Sequence, residues 1–259
     1  MKVLLTNDDG IFAEGLRALY RAFRDDHEVS VVAPDRERSA VGHGITLDAP
    51  LRVEEVVAGD DFRGYAVTGK PADCVKLGLL ELLPFRPDVV ISGINPGANV
   101  GVNLNYSGTV AAAREAALYG IPALAVSILG RAVADYGDAA RFAARLAQEV
   151  ASRGLPFGTL LNVNLPDRPL AETGGIRFSR QGIRRLSREY YERRTDPRDR
   201  PYHWLGLDAG DFGEDIEVDR DAVFRNYISI TPIRCDMTDY GLLESLREWE
   251  IGGEWKMEN

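Results

Sequence analysis

The stretch MKVLLTNDDGIFAEGLRALYRAFRDDHEVSVVAP, residues 1–34, decides the fold. A short apolar run over residues 2–6 stops at Asn7-Asp8-Asp9-Gly10, which reads as a buried strand ended by a turn. Leu16, Leu19, Tyr20 and Phe23 then recur at helical spacing. Residues 27–33 alternate into a second strand, closed by Pro34. Strand, turn, helix, strand is the opening of a doubly wound parallel sheet, and the rest of the chain is read outward from it.

The rhythm continues downstream. Residues 45–57 look like a hairpin or an extended excursion, and residues 63–68 like a strand. Pro71 opens a helix expected to run to Leu83, at a position where proline's missing N–H would be unpaired anyway. PDVVIS at 87–92 reads as a buried strand, and a Gly/Asn-rich loop fills 93–106. Ser107 is placed to cap an alanine-rich helix over 109–119. A strand at 122–128, a helix at 136–152 and a last central strand at 159–164 complete the pattern. The expectation is a Rossmann-like three-layer α/β/α core with a mostly parallel sheet, residues 1–170. After about residue 170 the alternation is lost. Residues 177–200 are crowded with arginine, interleaved with Glu189, Glu192, Asp196 and Asp199, and read as an extended arm or hairpin. A strand at 226–231 and a closing helix at 240–249 follow. Residues 171–259 are expected to complete the core and form an oligomer interface.

The 259 residues carry 45% hydrophobic side chains, enough for one sizeable core, and a net charge of −9. Such an acidic chain repels nucleic-acid polymers, although a small phosphorylated ligand is admissible where a local cation supplies positive charge. Cys74 and Cys235, far apart in sequence, offer no disulfide framework and suit a reducing cytoplasm. The opening apolar run is cut off by two acids, so no signal peptide is expected. No segment approaches the roughly 20 apolar residues of a membrane span.

In a parallel α/β sheet, ligands gather beyond the carboxyl ends of the strands. Asp8 and Asp9 follow the first strand, Ser39 the second, and Asn95 the strand at 87–92. Adjacent carboxylates repel, and a hard divalent cation offsets that repulsion while favouring carboxylate, amide and hydroxyl oxygens. The run Gly97-Ala98-Asn99-Val100-Gly101 is suited to bring backbone N–H groups close to an anion. Ser107, Gly108 and Thr109 stand at a helix N-terminus, which favours phosphate. GYAVTGK at 64–70 mimics part of a P-loop, but Pro71 stands where the magnesium-binding hydroxyl belongs. His43 reads equally as an acid/base group, a supporting group or a structural histidine. His27 and His203 lack nearby ligand partners, so zinc is not invoked.

NDDG at 7–10, ERSAVGHGIT at 37–46, TGKPADCVKLG at 68–78 and SGINPGANVGVNLNYSGTVAAAREA at 92–116 resemble the motifs of the SurE (survival protein E) family, and with their general order cover roughly residues 1–165. The resemblance implies a divalent-metal-dependent acid phosphatase acting on nucleoside 5′- and 3′-monophosphates, and in some members on polyphosphate. It implies one Mg²⁺ or Mn²⁺ per subunit, held by Asp8, Asp9, Ser39 and Asn95. It implies phosphate contacts at Gly97, Asn99, Ser107, Gly108 and Thr109, with Asp8, Asp9 and Asn95 carrying the chemistry. It also implies a cytoplasmic homodimer or homotetramer built through exchanged arms. Lys70 departs from the family pattern, where a small hydroxyl residue is expected. Two other readings stay open: a phosphotransferase working through a phospho-aspartate at Asp8 or Asp9, and a non-enzymatic nucleotide- or phosphate-binding oligomer.

Overall fold

A computed structural model describes residues 1–59, 62–183, 189–207 and 215–249. The chain opens with β1 (Lys2–Thr6), α1 (Glu14–Phe23) and β2 (Glu28–Pro34), as its periodicity dictates. It continues through β3 (Val53–Ala58), β4 (Phe62–Val67), α2 (Pro71–Leu77), β5 (Val89–Pro96), α3 (Gly108–Leu118), β6 (Ala123–Ile128), α4 (Gly137–Arg153) and β7 (Thr159–Leu165). The C-terminal part supplies β8 (Ile176–Phe178), β9 (Glu189–Thr195), β10 (Pro201–Leu207), α5 (Asp219–Phe224), β11 (Ile228–Arg234) and α6 (Tyr240–Leu246).

Nine strands form one sheet in the order β3-β4-β2-β1-β5-β6-β7-β11-β8. Every neighbouring pair from β4 to β7 is parallel, while β3 and β11 join antiparallel to β4 and β7. One face buries Val3, Leu5, Val31, Ile91 and Val126 against Leu16, Leu19 and Phe23 of α1 and Ala139, Ala143 and Ala147 of α4. The other face buries Leu4, Val32, Val90 and Leu160 against Cys74 and Val75 of α2 and Val110, Ala113 and Ala117 of α3. The two clusters use alternate residues of the same strands, the signature of a sheet covered on both sides. The expected three-layer α/β/α core is observed.

Several boundaries differ from the sequence expectation, each for a local reason. The helix from Pro71 ends at Leu77 and continues as a wider π-turn over Gly78–Leu82. Of residues 45–57, only the part from Val53 pairs into a strand. The strand expected at 226–231 forms over Ile228–Arg234 as β11, and it pairs antiparallel along the edge of β7 from Arg234↔Thr159 to Ser229↔Asn164. β5 runs past Ser92 through Pro96, with its register to β6 shifted between Ser92 and Asn95. Gly93 makes this possible: its φ is +142°, and a Cβ there would lie 2.4 Å from the Val126 carbonyl oxygen. The arginine-rich stretch yields the separate β9–β10 hairpin, and its residues 184–188 lie outside the described residues. The expected closing helix forms as α6, but none of its residues is buried.

Candidate active site

The sheet reverses winding direction at β1, with β2 on one side and β5 on the other. Loops leaving β1 and β5 therefore part over a crevice, the place where open α/β sheets bind ligands. Asn7 builds the first loop: its Nδ2 donates to the Gly10 carbonyl (2.9 Å), and its Oδ1 accepts from the Gly10 N–H (3.2 Å). This closed turn aims Asp8 and Asp9 in their directions. Asp8 is 6% exposed, and the Thr109 hydroxyl donates to its Oδ1 at 2.5 Å. The Thr109 backbone N–H also serves the Asp8 carboxylate. Gly108 allows this contact, since a Cβ there would fall 2.7 Å from the Asp8 Cβ. The N-terminus of α3, whose N–H groups and dipole favour negative charge, thus abuts the first acid of the turn. Ser107 caps that helix as expected, accepting from the Val110 N–H at 3.1 Å.

Asp9 is in a different position. Its Oδ2 is buried, with no hydrogen-bond partner among the described residues. Burial drives its carboxyl up from the ordinary carboxylate range to about 7, with the charges of Asp8 and Glu37 adding to the effect. Asp8 is raised as well, chiefly by burial, although its hydrogen bonds to Thr109 oppose the rise. Two acids held side by side against these penalties, one with an orphaned oxygen, match the demand of a divalent cation. Asn95 fits the same demand: its Nδ2 donates to the Gly97 carbonyl at 2.6 Å, and among the described residues its amide oxygen has no hydrogen-bond partner. Ser39 lies exposed on the loop after β2, where its hydroxyl donates to Glu37 (2.5 Å). The neighbouring Arg38 N–H ties that loop to the Asp8 carbonyl at 2.7 Å. Among the described residues no three His, Cys, Asp or Glu side chains are grouped to hold a metal ion, so a cation here must draw on hydroxyl and amide oxygens too.

The Gly-rich loop is used differently from the sequence expectation. Neither Gly97 nor Gly101 presents a free N–H: Gly97 donates to the Ile128 carbonyl (2.8 Å) and Gly101 to Asp219 Oδ2 (2.8 Å). Asn99 acts as a brace. Its N–H donates to Asn164 Oδ1 (2.8 Å), its carbonyl accepts from Asn162 (2.8 Å) and Asn164 (3.0 Å), and its Nδ2 donates to Ser127 (2.9 Å). Lys70 does not reach for an anion as a P-loop lysine would; its ammonium donates to the Ile45 carbonyl at 2.9 Å. His43 pairs with the buried Glu115 at 2.8 Å.

Residues not singled out from the sequence complete the surroundings. Glu37 adds a third carboxylate to the field of Asp8 and Asp9. Asn162 and Asn164 had a legible signal, two amides at alternate positions of a buried strand otherwise rich in leucine and valine. Asp219 had none. It lies more than a hundred residues from the loop it holds and accepts from Gly101, Gly182 and Arg220.

Residues 3–188 match the protein family described as Survival protein SurE. The chain is 56% identical over 251 residues to the 5′-nucleotidase SurE of Desulfatibacillum aliphaticivorans, covering 97% of this chain and 99% of that protein. It is 48% identical over 251 residues to the 5′-nucleotidase SurE of Syntrophobacter fumaroxidans, covering 97% and 100%. The crystal structure of the SurE protein from Aquifex aeolicus superimposes with a TM-score of 0.82 at 38% identity, covering 95% of this chain and 98% of that one. Its strand order, its acid pair against a helix N-terminus and these near full-length matches together mean that the chain belongs to the SurE family.

Proposed function

We propose that this chain is a metal-dependent 5′-nucleotidase that hydrolyses nucleoside monophosphates, 5′ and also 3′, to nucleoside and phosphate. The observation that carries the reading is the junction of Asp8 with the first turn of α3, where Thr109 donates to Asp8 at 2.5 Å. It puts a cation-demanding acid pair and a phosphate-favouring helix terminus side by side. The relatives' name, 5′-nucleotidase, supports the same substrate class.

In this reading Asp8, Asp9, Ser39 and Asn95 hold one Mg²⁺ or Mn²⁺, which when bound supplies Lewis-acid polarisation and activates water. Thr109, through its hydroxyl and its N–H, fixes the orientation of the Asp8 carboxylate. Gly97, held by Ile128, orients the amide of Asn95. Ser107, Gly108 and Thr109 set the start of α3 against the phosphate; the Thr109 hydroxyl and N–H are given to Asp8, and it is the helix dipole that favours the charge building on the equatorial oxygens. The braces from Asn162 and Asn164 hold Asn99 and the loop in place before substrate arrives. At Asp8 the phospho-aspartate alternative is disfavoured, because that carboxylate is buried and engaged by Thr109 rather than presented as a nucleophile. A cytoplasmic location is part of the proposal; among the described residues no helix is long and apolar enough to cross a membrane.

The test is phosphate release from a panel of nucleoside monophosphates with and without EDTA, followed by single additions of Mg²⁺, Mn²⁺, Ca²⁺ and Zn²⁺. The expected result is activity abolished by chelation, restored by a divalent ion, and lost by at least about 10²-fold in Asp8→Asn and Asn95→Ala. Activity indifferent to chelation would sink the four-ligand site.

A further inference from the structure

Residues 35–52, which carry Ser39, contain no helix or strand, so hydrogen bonds to other elements must fix their path. At the near end the Arg38 N–H reaches Asp8. Beyond Ser39, the Gly42 N–H donates to the Tyr106 carbonyl (2.9 Å), and the Lys70 ammonium holds the Ile45 carbonyl. Thr46 gives its N–H (3.0 Å) and hydroxyl (2.6 Å) to Asp73. One further tie is of another kind. His43 Nε2 lies 2.8 Å from Oε2 of Glu115, whose Oε1 lies 2.6 Å from the Lys76 ammonium.

Glu115 is an unusual residue for its place. It is the single acid of the alanine-rich α3, and its side chain is 6% exposed. A buried carboxylate is tolerated only with partners for its charge and lone pairs. Lys76 alone would close α2 on α3. The second oxygen instead reaches out of the helix pair to the coil that carries Ser39. One anion therefore fastens two helices and a site loop.

We infer that Glu115 and His43 are positioning residues of the active site: through their hydrogen bond, α3 holds the loop bearing Ser39 in register with the Asp8–Asp9 turn that the same helix abuts at its N-terminus. The metal role of Ser39 rests on the function proposed above; the clamp itself does not. α3 thereby sets two components of the site from one rigid body, Asp8 through Gly108 and Thr109, and Ser39 through Glu115 and His43.

The experiment compares the full chain with His43→Ala, His43→Gln and Lys76→Met. Mn²⁺ binding is measured by titration calorimetry, thermal stability by unfolding, and backbone hydrogen exchange over residues 37–46 on the metal-free protein. His43→Ala is expected to weaken Mn²⁺ binding about tenfold, as loss of a group supporting a ligand does, and to speed exchange over 37–46. His43→Gln, which keeps a donor, should recover most of both. Lys76→Met removes the other partner of Glu115 without touching the loop, so it should lower the melting temperature and leave Mn²⁺ affinity and loop exchange near parental values. Parental exchange over 37–46 in His43→Ala overturns the clamp, as does an equal effect from Lys76→Met. Faster exchange with unchanged Mn²⁺ affinity overturns the link to Ser39. A parental chain that binds no Mn²⁺ would remove the proposed metal site, and the exchange comparison would then decide the clamp alone.

Discussion

Asp8 and Asp9 are neighbours in sequence, yet the fold treats them differently. Thr109 occupies one oxygen of Asp8, while Oδ2 of Asp9 is buried with no partner among the described residues. Burial first, then the charges of Asp8 and Glu37, lifts Asp9 to about 7. A carboxyl whose folded value is raised above its unfolded value binds protons more tightly when folded, so its ionisation weakens the fold. In metal-free protein this penalty grows as pH rises from about 4 to about 7 and is complete above that. Metal-free Asp9→Asn should therefore be more stable than the parent at pH 8, by on the order of 1–3 kcal/mol after allowing for solvent screening. The gap should close toward pH 4. Urea unfolding across this range checks it, and a gap that does not depend on pH would refute it. Glu115 has the opposite sign. Burial raises its carboxyl, but the hydrogen bonds from His43 and Lys76 outweigh burial and hold it below its ordinary value. Its contribution is present above the ordinary glutamate range and lost as pH falls through the folded value.

Among the elements, α3 matters most to the site. Its first turn is in contact with Asp8 because position 108 has no side chain, and an ideal Cβ there would lie 2.9 Å from Asp8 Oδ2 and 3.1 Å from Pro71 Cγ. Gly108→Ala must displace Asp8 or tilt the helix. The expected outcome is a fall in kcat/KM of about 10²-fold, the order associated with a misplacement of about 1 Å, in a protein that still unfolds cooperatively. Steady-state kinetics beside a thermal melt would separate this from collapse of the fold. Parental activity would mean that the contact is slack. The elements also show where a sequence can be read. The apolar periods of β1, α1 and β2 report burial directly, so they were legible, and the NDDG turn and Ser107 cap followed from local chemistry. What escaped was set by distant partners. Gly97 and Gly101 have the composition of an anion nest, but their N–H groups go to Ile128 and Asp219. Neither partner is visible from the loop's own residues.

At the scale of the whole molecule, the chain displays two kinds of surplus. Among the described residues β9 and β10 pair only with each other, and they leave Tyr191 69%, Trp204 61% and Leu205 53% exposed. A lone two-stranded ribbon is marginal in water, and such aromatic surface is what a subunit interface covers. We expect a homodimer or homotetramer. Light scattering should find a smaller species for the double variant Tyr191→Glu, Trp204→Glu, while a parent that is already monomeric would end the idea. The second surplus is α6, a helix with none of its residues buried.

The late arrival of β11 has a consequence for how this protein is made. Its strand Ile228–Arg234 covers the edge of β7 and in turn carries β8. A chain emerging from the ribosome has all the candidate site residues in hand by residue 109, yet its sheet keeps an open, hydrogen-bond-hungry border until more than a hundred further residues have been synthesised. Early termination should therefore be tolerated at one position and ruinous at another. Among the described residues, a stop at codon 240 removes none that is buried, and it should yield soluble protein. A stop at codon 228 leaves the β7 border bare, and that product should partition into the insoluble fraction of the expressing cell.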